Sequence, residues 1–284
     1  RPAVIAQRIE KFGLRLKEGV NYQVVNVEQD HRYRDFWQTY YKLTARKGVT
    51  EQLAKIDMRR RLSLIGTMML HKGEVDGLIC GTWSTPLTHL KYVNEVIGNR
   101  KGVSTYAAMN GLLLPDRQVF LVDTHINYDP TAEQLAEITV MAAEEMRRFG
   151  IQPKAALLSH SNFGSSDQPS AIKMRETLAL VKKKAPWLEI DGEMHGDSAL
   201  DGAARAAHMP DTTLIGDANL LVLPNLDSAN IAYNLLKTAA GGNIAIGPVL
   251  LGAAKPVHIL TASTTVRRIV NMTALTVADA SAVR

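Results

Sequence analysis

Residues 129–159 read DPTAEQLAEITVMAAEEMRRFGIQPKAALLS, and this stretch indicates the class of fold. A helix is expected to start near Thr131, because Pro130 suits the first turn of a helix, where a missing amide hydrogen costs nothing. Gly150 is typical of a residue that ends a helix. The apolar run 154–159 that follows predicts a buried strand.

The same alternation continues on both sides of this stretch. Runs of β-branched and aliphatic residues predict further strands at 22–27, 75–80, 118–122, 188–191, 218–223 and 243–246. Amphipathic stretches predict helices at 36–44 and 54–70, and others starting near Ser170, Ser198 and Asp227. Strands that alternate with helices predict an α/β fold with a mostly parallel, doubly wound sheet covered by helices on both faces.

The composition narrows the classes of protein that fit. The chain has 284 residues, 46% hydrophobic and 21% charged, which suits one large domain or two lobes. A single cysteine, Cys80, excludes a disulfide framework and makes the cytoplasm the expected location. No apolar run approaches the length of a membrane span. The net charge of +5 comes from scattered residues, which argues against nucleic acid and suits a small anionic ligand.

Two segments after predicted strands are rich in small polar and acidic residues. Ligands of doubly wound sheets bind beyond the carboxyl ends of the strands. The segment 159–166, SHSNFGSS, can offer backbone amides to phosphate oxygens, or it can be a solvated loop with capping hydroxyls. The segment 191–197, DGEMHGD, contains acids and a histidine that could hold a metal, but turn formation and helix capping explain it better.

Two later segments offer amides and a lysine. In 224–230, PNLDSAN, Asn225 and Asn230 flank the start of a helix and are neutral donors for a ligand, unless the polar residues there only cap the helix. In 247–257, GPVLLGAAKPV, glycine and proline bend the backbone and Lys255 supplies a charge suited to phosphate, although a structural corner would use the same residues.

The common catalytic signatures are absent from the sequence. It contains no dinucleotide-binding glycine motif, no Walker loop, no nucleophile elbow and no zinc-protease helix. The residues alone therefore indicate an α/β ligand-binding protein.

The same segments, in this order, resemble the phosphate acetyltransferase family over almost the whole chain. The matching stretches are 47–50, 68–69, 73–78 with Gly81, 131–136, 157–161, 190–193, 223–226 with Asn230, and 247–248 through 255–257. The resemblance implies the two-lobed fold of this family, which is like that of isocitrate and isopropylmalate dehydrogenases. Lobe I is expected to combine 1–128 with 259–284, and lobe II to span 129–258. The chain is expected to begin just after the family's first βα unit.

The residues that would carry acetyl transfer depart from the family pattern. Thr261 and Ala262 stand where the family has a serine and an arginine, and Arg268 stands where it has an acidic residue. Thr44 and Lys91 replace two further arginines. Arginine forks grip phosphate and stabilise charge in the transition state, so several losses together predict a chain without transferase activity.

Within the family, the sequence resembles the C-terminal region of bacterial NADP-dependent malic enzymes. This resemblance implies a homo-oligomeric regulatory domain that binds acetyl-CoA as an inhibitor, with catalytic domains, NADP and a divalent metal in a preceding part of the polypeptide. Residues expected to contact the effector are Ser159, Ser161, Gly164, Asn225, Asn230, Gly247, Lys255 and Thr261. Two alternatives stay open: an active phosphate acetyltransferase, and a purely structural oligomerisation module.

Overall fold

The computed structural model describes residues 2–26, 29–241 and 245–283 of the chain. Contacts between residues divide the chain into two compact units, Arg1–Met69 and Leu70–Arg284. Among the described residues, no helix is both long and apolar enough to cross a membrane.

Helices make up the regular structure of the first unit. They are α1 Pro2–Lys11, α2 Tyr33–Thr44, α3 Glu51–Arg60 and most of α4, Leu62–Lys72. The predicted helix at 36–44 is confirmed. The predicted helix at 54–70 is two helices, because Arg61 adopts an extended conformation with φ of −109° and ψ of 93°.

The predicted strand at 22–27 is wrong over its described residues. Residues 23–26 have no regular structure, Tyr22 makes only an isolated bridge to Glu18, and Val27 lies outside the described residues. β-branched residues favour a strand only where a neighbouring strand supplies hydrogen bonds, so local preference was not decisive here.

The second unit contains a mixed six-stranded sheet. Its strands are β2 Ala107–Leu113, β3 Gln118–Val122, β4 Lys154–Leu158, β5 Glu189–Met194, β6 Leu220–Val222 and β7 Ala245–Leu251, in the spatial order β5-β4-β6-β3-β2-β7. Four neighbouring strands, β5, β4, β6 and β3, run parallel, whereas β2 is antiparallel to both β3 and β7. The parallel strands therefore end at one common edge, where polar segments follow them.

Helices lie on both faces of this sheet. The helices of the second unit are α5 Pro86–Val96, α6 Ala132–Arg148, α7 Pro169–Lys184, α8 Gly196–Leu200, α9 Gly202–His208, α10 Leu226–Ala239 and α11 Val266–Val283. Alternate residues of β3 enter different cores: Phe120 packs with residues of α6 and α7, and Leu121 with residues of α8 and α10. The two-residue side-chain period of a strand explains this division.

A second sheet pairs β1 Leu78–Gly81 with β8 Val257–Leu260 in parallel. Helices α5 and α11 both contact its two strands. The sequence predicted β1 near 75–80 but missed β8, and it also missed β2. The predicted lobes, 1–128 with 259–284 and 129–258, stay a prediction; strands from both ranges share the six-stranded sheet.

Most other predicted elements are present with shifted ends. The helix expected near Thr131 begins at Ala132, and Thr131 and Gln134 form a capping box that satisfies amides of its first turn. The strand predicted at 118–122 is β3 without change. The strand predicted at 243–246 is β7, which begins at Ala245 in the described residues, whereas Asn243 lies outside them.

Candidate functional site

The segment 159–166 folds around a buried carboxylate that follows it in sequence. Glu193, at the end of β5, is fully buried, and its Oε1 accepts hydrogen bonds from Ser161 Oγ at 2.6 Å and Gly164 N at 2.9 Å. Arg175 Nη1 on α7 donates to the same oxygen at 2.9 Å. Burial raises the pKa of Glu193, but these three donors outweigh burial and hold the pKa below its ordinary value. Ser161 and Gly164 thus fix the loop from inside.

The acids and histidine of 191–197 are occupied by local hydrogen bonds. Asp191 Oδ2 accepts from Thr212 Oγ1 at 2.8 Å and from Thr213 N at 2.7 Å. His195 Nε2 lies 2.9 Å from the carbonyl oxygen of His160. No group of three histidine, cysteine or acidic side chains that could hold a metal is found in the described part of the chain.

The two asparagines of 224–230 have different structural roles. Asn225 is the N-cap of α10, and its Oδ1 accepts a hydrogen bond from Ser228 N at 2.9 Å. Asn230 Nδ2 donates to the carbonyl oxygen of Thr124 at 3.1 Å. Asn230 therefore ties α10 to the segment that follows β3.

Gly247 and Lys255 lie towards opposite ends of β7. At Gly247 φ is 110°, and an added Cβ would lie 2.6 Å from the carbonyl oxygen of Met109 and 2.9 Å from Asn110 Oδ1. Only glycine fits this close approach of β7 to β2. Lys255 Nζ donates to the carbonyl oxygen of Leu70 at 2.7 Å, so its ammonium group caps the end of α4.

The positions that depart from the transferase pattern are spread over the chain. Thr44 is buried in the first unit and donates to the carbonyl oxygen of Tyr40 at 2.7 Å. Lys91 on α5 lies 3.9 Å from Glu95 in an ion pair. Thr261, directly after β8, lies in a hydroxyl-rich turn with its Oγ1 3.2 Å from Ser263 Oγ, and Ala262 is exposed beside it.

A further group of polar residues surrounds His125, and of these residues the sequence singled out only Arg268. We call it the His125 cluster: Asn110, Thr124, His125, Tyr233, Lys237 and Arg268. Asn110 is fully buried in β2, and its Nδ2 donates to Thr124 Oγ1 at 2.6 Å. Thr124 Oγ1 lies 2.8 Å from His125 Nδ1, and the His125 and Tyr233 rings are 6.1 Å apart.

Asp123 fixes the turn that presents His125. Its Oδ1 accepts from the amides of Ala108 at 2.9 Å and His125 at 3.1 Å, and its Oδ2 accepts from the amide of Asn127 at 2.8 Å. Burial raises the pKa of Asp123 above its ordinary value, although the hydrogen bonds from these amides act in the opposite direction. The carboxylate thus joins β2 to the segment that leaves β3.

Two cations make the His125 cluster electropositive. Lys237 Nζ lies 5.0 Å from the centre of the Tyr233 ring and donates to Asn234 Oδ1 at 2.9 Å. Burial lowers the pKa of His125 to about 4, and the charges of Arg268 and Lys237 contribute to this. The imidazole is therefore neutral at physiological pH. No carboxylate among the described residues forms an ion pair with Lys237 or Arg268.

The structure brings only some of the predicted site residues together. Asn230 contacts Thr124 of the His125 cluster, and Arg268, noticed in the sequence only as a departure, belongs to it. Ser161 and Gly164 meet at Glu193, whereas Lys255 is engaged with α4. His125 and Tyr233 carried no sequence signal, because a lone histidine and a helical tyrosine are ordinary core residues.

Comparisons with known proteins agree on one family. The sequence model described as Phosphate acetyl/butaryl transferase matches residues 2–277. The NADP-dependent malic enzyme of Escherichia coli strain K12 is 52% identical over 280 residues, which cover 99% of this chain and 37% of that protein. The phosphate acetyltransferase of Corynebacterium glutamicum is 34% identical, with 98% of this chain and 83% of that protein covered.

A solved structure shows the same relationship. The phosphotransacetylase of Streptococcus pyogenes superimposes with a TM-score of 0.88 and 29% identity, covering 99% of this chain and 84% of the other. This chain spans little more than a third of the malic enzyme that it matches. By sequence and by fold, the chain belongs to the phosphate acetyl/butaryl transferase family.

Proposed function

We propose that this chain is the regulatory region of an NADP-dependent malic enzyme and that it binds acetyl-CoA without transferring the acetyl group. The observation that carries the proposal is Arg268, which stands in the His125 cluster at the position where the family resemblance implies an acidic residue. Its charge acts on His125, Tyr233 and Lys237. The higher identity to a malic enzyme than to a phosphate acetyltransferase, 52% against 34%, supports the parent enzyme.

Loss of acetyl transfer follows from the electrostatics of the cluster. Transfer from acetyl phosphate to CoA requires a base that removes the thiol proton, and a carboxylate beside the base would favour its protonated form. Arg268 has the opposite effect, because a neighbouring positive charge lowers the pKa of His125. Thr261 and Ala262 also leave the turn after β8 without an arginine for the phosphate.

Binding of acetyl-CoA is supported by the positive charge that the cluster retains. CoA carries several phosphate charges, and Lys237 and Arg268 have no carboxylate partner among the described residues that would compete with them. Ser159, Asn225 and Thr261 directly follow strands or lie between a strand and the next helix, Gly247 lies in β7, and all four stay proposed contacts. Lys255 is the least supported of the proposed contacts, because it binds main-chain carbonyls.

In this model of the function, the malate, NADP and divalent-metal sites lie in the remaining part of the malic enzyme polypeptide. The enzyme is a homo-oligomer and is located in the cytoplasm. Inhibition requires that acetyl-CoA bind the inactive arrangement of the enzyme more tightly than the active one.

Calorimetric titration of the intact protein with acetyl-CoA, together with an assay of malate oxidation, tests the proposal. We expect saturable binding and inhibition over the same concentration range. Formation of acetyl-CoA from acetyl phosphate and CoA at rates of about 1 to 10³ per second would instead make the chain an active transferase. If acetyl-CoA does not bind while the oligomer stays intact, the chain is a purely structural oligomerisation module.

A further inference from the structure

Helix α1 has an apolar side that no described residue covers. Nine of its ten residues are exposed, and Ile9 is half-buried. Phe12 continues the helix, because its amide donates to the carbonyl oxygen of Arg8 at 3.0 Å. Ile5, Ile9 and Phe12 are spaced by four and three residues, so their side chains lie on one side of the helix. Soluble proteins seldom leave such a group of apolar side chains in water unless it forms an interface.

The turn that ends α1 extends this apolar side. At Gly13 φ is 60°, and the amide of Leu14 donates to the carbonyl oxygen of Ile9 at 2.9 Å. In such a turn the residue after the glycine folds back towards the last turn of the helix. Leu14, which is 50% exposed, therefore adds to the same surface. We call Ile5, Ile9, Phe12 and Leu14 the α1 face.

The length of α1 also calls for a partner. The first turn of a helix is costly to form, so a helix of ten residues is marginal in water unless packing supports it. No described residue supplies that packing, and the first turn of α1 has no acidic side chain to favour the helix dipole. Covering the α1 face would supply the missing stabilisation.

Arg8 indicates what kind of surface covers the α1 face. It lies three residues after Ile5 and four before Phe12, so it projects from the same side of the helix. Arg8 is exposed and forms no ion pair with a described residue. Because covering an unpaired charge costs free energy, a partner surface should supply a carboxylate at this point. The α1 face therefore fits an apolar surface that carries an acidic side chain.

A second copy of this chain does not have that chemistry at its own α1 face. Any two-fold axis that pairs two α1 faces brings their middles together, and Arg8 lies at the middle, between Ile5 and Phe12. The two guanidinium groups would then face each other, which opposes association. Residues 2–20 contain four basic side chains and two acidic ones, which adds to the repulsion.

We infer that the α1 face packs against the part of the malic enzyme polypeptide that this chain does not span. The inference rests on the proposed function, which makes this chain one region of a longer enzyme. The matched region is 37% of the Escherichia coli malic enzyme, so nearly two thirds of that protein has no counterpart here. A surface on the same polypeptide is present at high effective concentration, which lets a small apolar patch bind it stably.

Photo-cross-linking in the intact malic enzyme that contains this chain tests the inference. A benzophenone-bearing amino acid replaces Phe12, and mass spectrometry identifies the peptides to which it becomes linked. We expect peptides from outside residues 1–284 that contain apolar and acidic side chains. Gln7, which lies on the polar side of α1, is the control position, and the same probe there should give no such links.

Hydrogen exchange of the intact enzyme without a probe is the second measurement. Phe12→Ser should speed the exchange of amides 5–12 by about tenfold or more, because it uncovers the α1 face. Arg8→Glu should also speed it, since it places a carboxylate against the expected carboxylate of the partner. Gln7→Ser should leave the exchange rates unchanged.

The two measurements can overturn the inference in different ways. Links from position 12 to residues 1–284, in the same copy or in a second one, reject it, as do links no more frequent than those from position 7. Exchange in the wild type as fast as in Phe12→Ser rejects it too.

Acetyl-CoA binding and inhibition of malate oxidation, measured on the same preparations, separate this inference from the proposed function. If the enzyme is inhibited by acetyl-CoA while the α1 face stays uncovered, the proposed function stands and the inference fails. If position 12 is linked to the remaining part of the polypeptide in an enzyme that does not bind acetyl-CoA, the proposed function fails and the inference stands.

Discussion

At the scale of single residues, Glu193 holds the loop 159–166 with one carboxylate oxygen. Replacing it by alanine removes the acceptor of Ser161, Gly164 and Arg175 together. Because the donors of Ser161 and Gly164 lose their acceptor inside the protein, Glu193→Ala should lower the free energy of unfolding by about 3 kcal/mol, although Arg175 keeps Asp167 as a partner. Urea denaturation measures this change.

The matched control is Glu176→Ala on the exposed side of α7, which should change stability by no more than about 0.5 kcal/mol. Equal stability of the two variants would mean that Glu193 does not organise the loop.

Tyr233 allows a second prediction at the residue scale. Since its buried hydroxyl makes no hydrogen bond of good geometry and interacts only with the charge of Arg268, Tyr233→Phe should raise the free energy of unfolding by about 1 kcal/mol. Tyr106 is the contrast, because its hydroxyl donates to Asn94 Oδ1 at 3.3 Å. Tyr106→Phe should therefore lower the free energy of unfolding by about 1 kcal/mol. Thermal melts of both variants compare them, and a loss in Tyr233→Phe would show that the hydroxyl has a partner.

At the scale of elements, a charged network ties α11 to β8 and α6. Asp279 near the end of α11 accepts from Arg148 Nη2 at 2.6 Å and lies 3.2 Å from His258 Nε2. Asp279→Ala should therefore speed hydrogen exchange in the last turns of α11 by about tenfold or more, because the network partner of both groups is lost. Ser281→Ala is the control: the Ser281 hydroxyl donates to the carbonyl oxygen of Val277 in the same helix, so its loss should leave the exchange rate unchanged.

Glu145 makes the same network sensitive to pH. Burial raises its pKa, as does the Asp279 carboxylate, while Arg148 lowers it. The folded state therefore holds the Glu145 proton more tightly than the unfolded chain, and the contribution of this group to stability falls as the pH rises above the ordinary pKa of 4.5.

Glu145→Gln removes this cost and should melt at a higher temperature than the wild type near neutral pH. The difference should shrink as the pH falls from neutral towards 4.5 and stay constant below that value, where Glu145 is protonated in both the folded and the unfolded state. Melts across this range measure it, with the exposed Glu176→Gln as control. A difference that is independent of pH would show that Glu145 does not titrate in this range.

The elements differ in how well the sequence predicted them. The helix after Thr131 and strand β3 have strong local signals, a capping box and a run of β-branched and aromatic residues. β2 was missed because AAMNGLL contains no β-branched residue, and its place in the sheet comes from pairing with β3 and β7. The His125 cluster joins side chains from β2, the turn after β3, α10 and α11, so only tertiary structure could assemble it.

At the scale of the whole molecule, the proposed inhibition makes a reciprocal prediction. If acetyl-CoA weakens the binding of malate and NADP by some factor, malate and NADP must weaken the binding of acetyl-CoA by the same factor, since the two binding steps form a closed thermodynamic cycle. Couplings of this kind are about 5- to 150-fold. The acetyl-CoA dissociation constant of the intact protein should therefore rise by a factor in this range when malate, NADP and a divalent metal are present.

Calorimetry with and without the substrates measures this factor. The loss of malate affinity at saturating acetyl-CoA should give the same factor. Arg268→Gln supplies the internal comparison. It should weaken acetyl-CoA binding in both conditions, because the His125 cluster is the proposed effector site. The ratio of the two dissociation constants should stay unchanged, because it depends on the difference between the two states of the enzyme. A dissociation constant that substrates do not alter, in a protein that acetyl-CoA still inhibits, would place the inhibition at the catalytic step instead of in the coupling between the two sites.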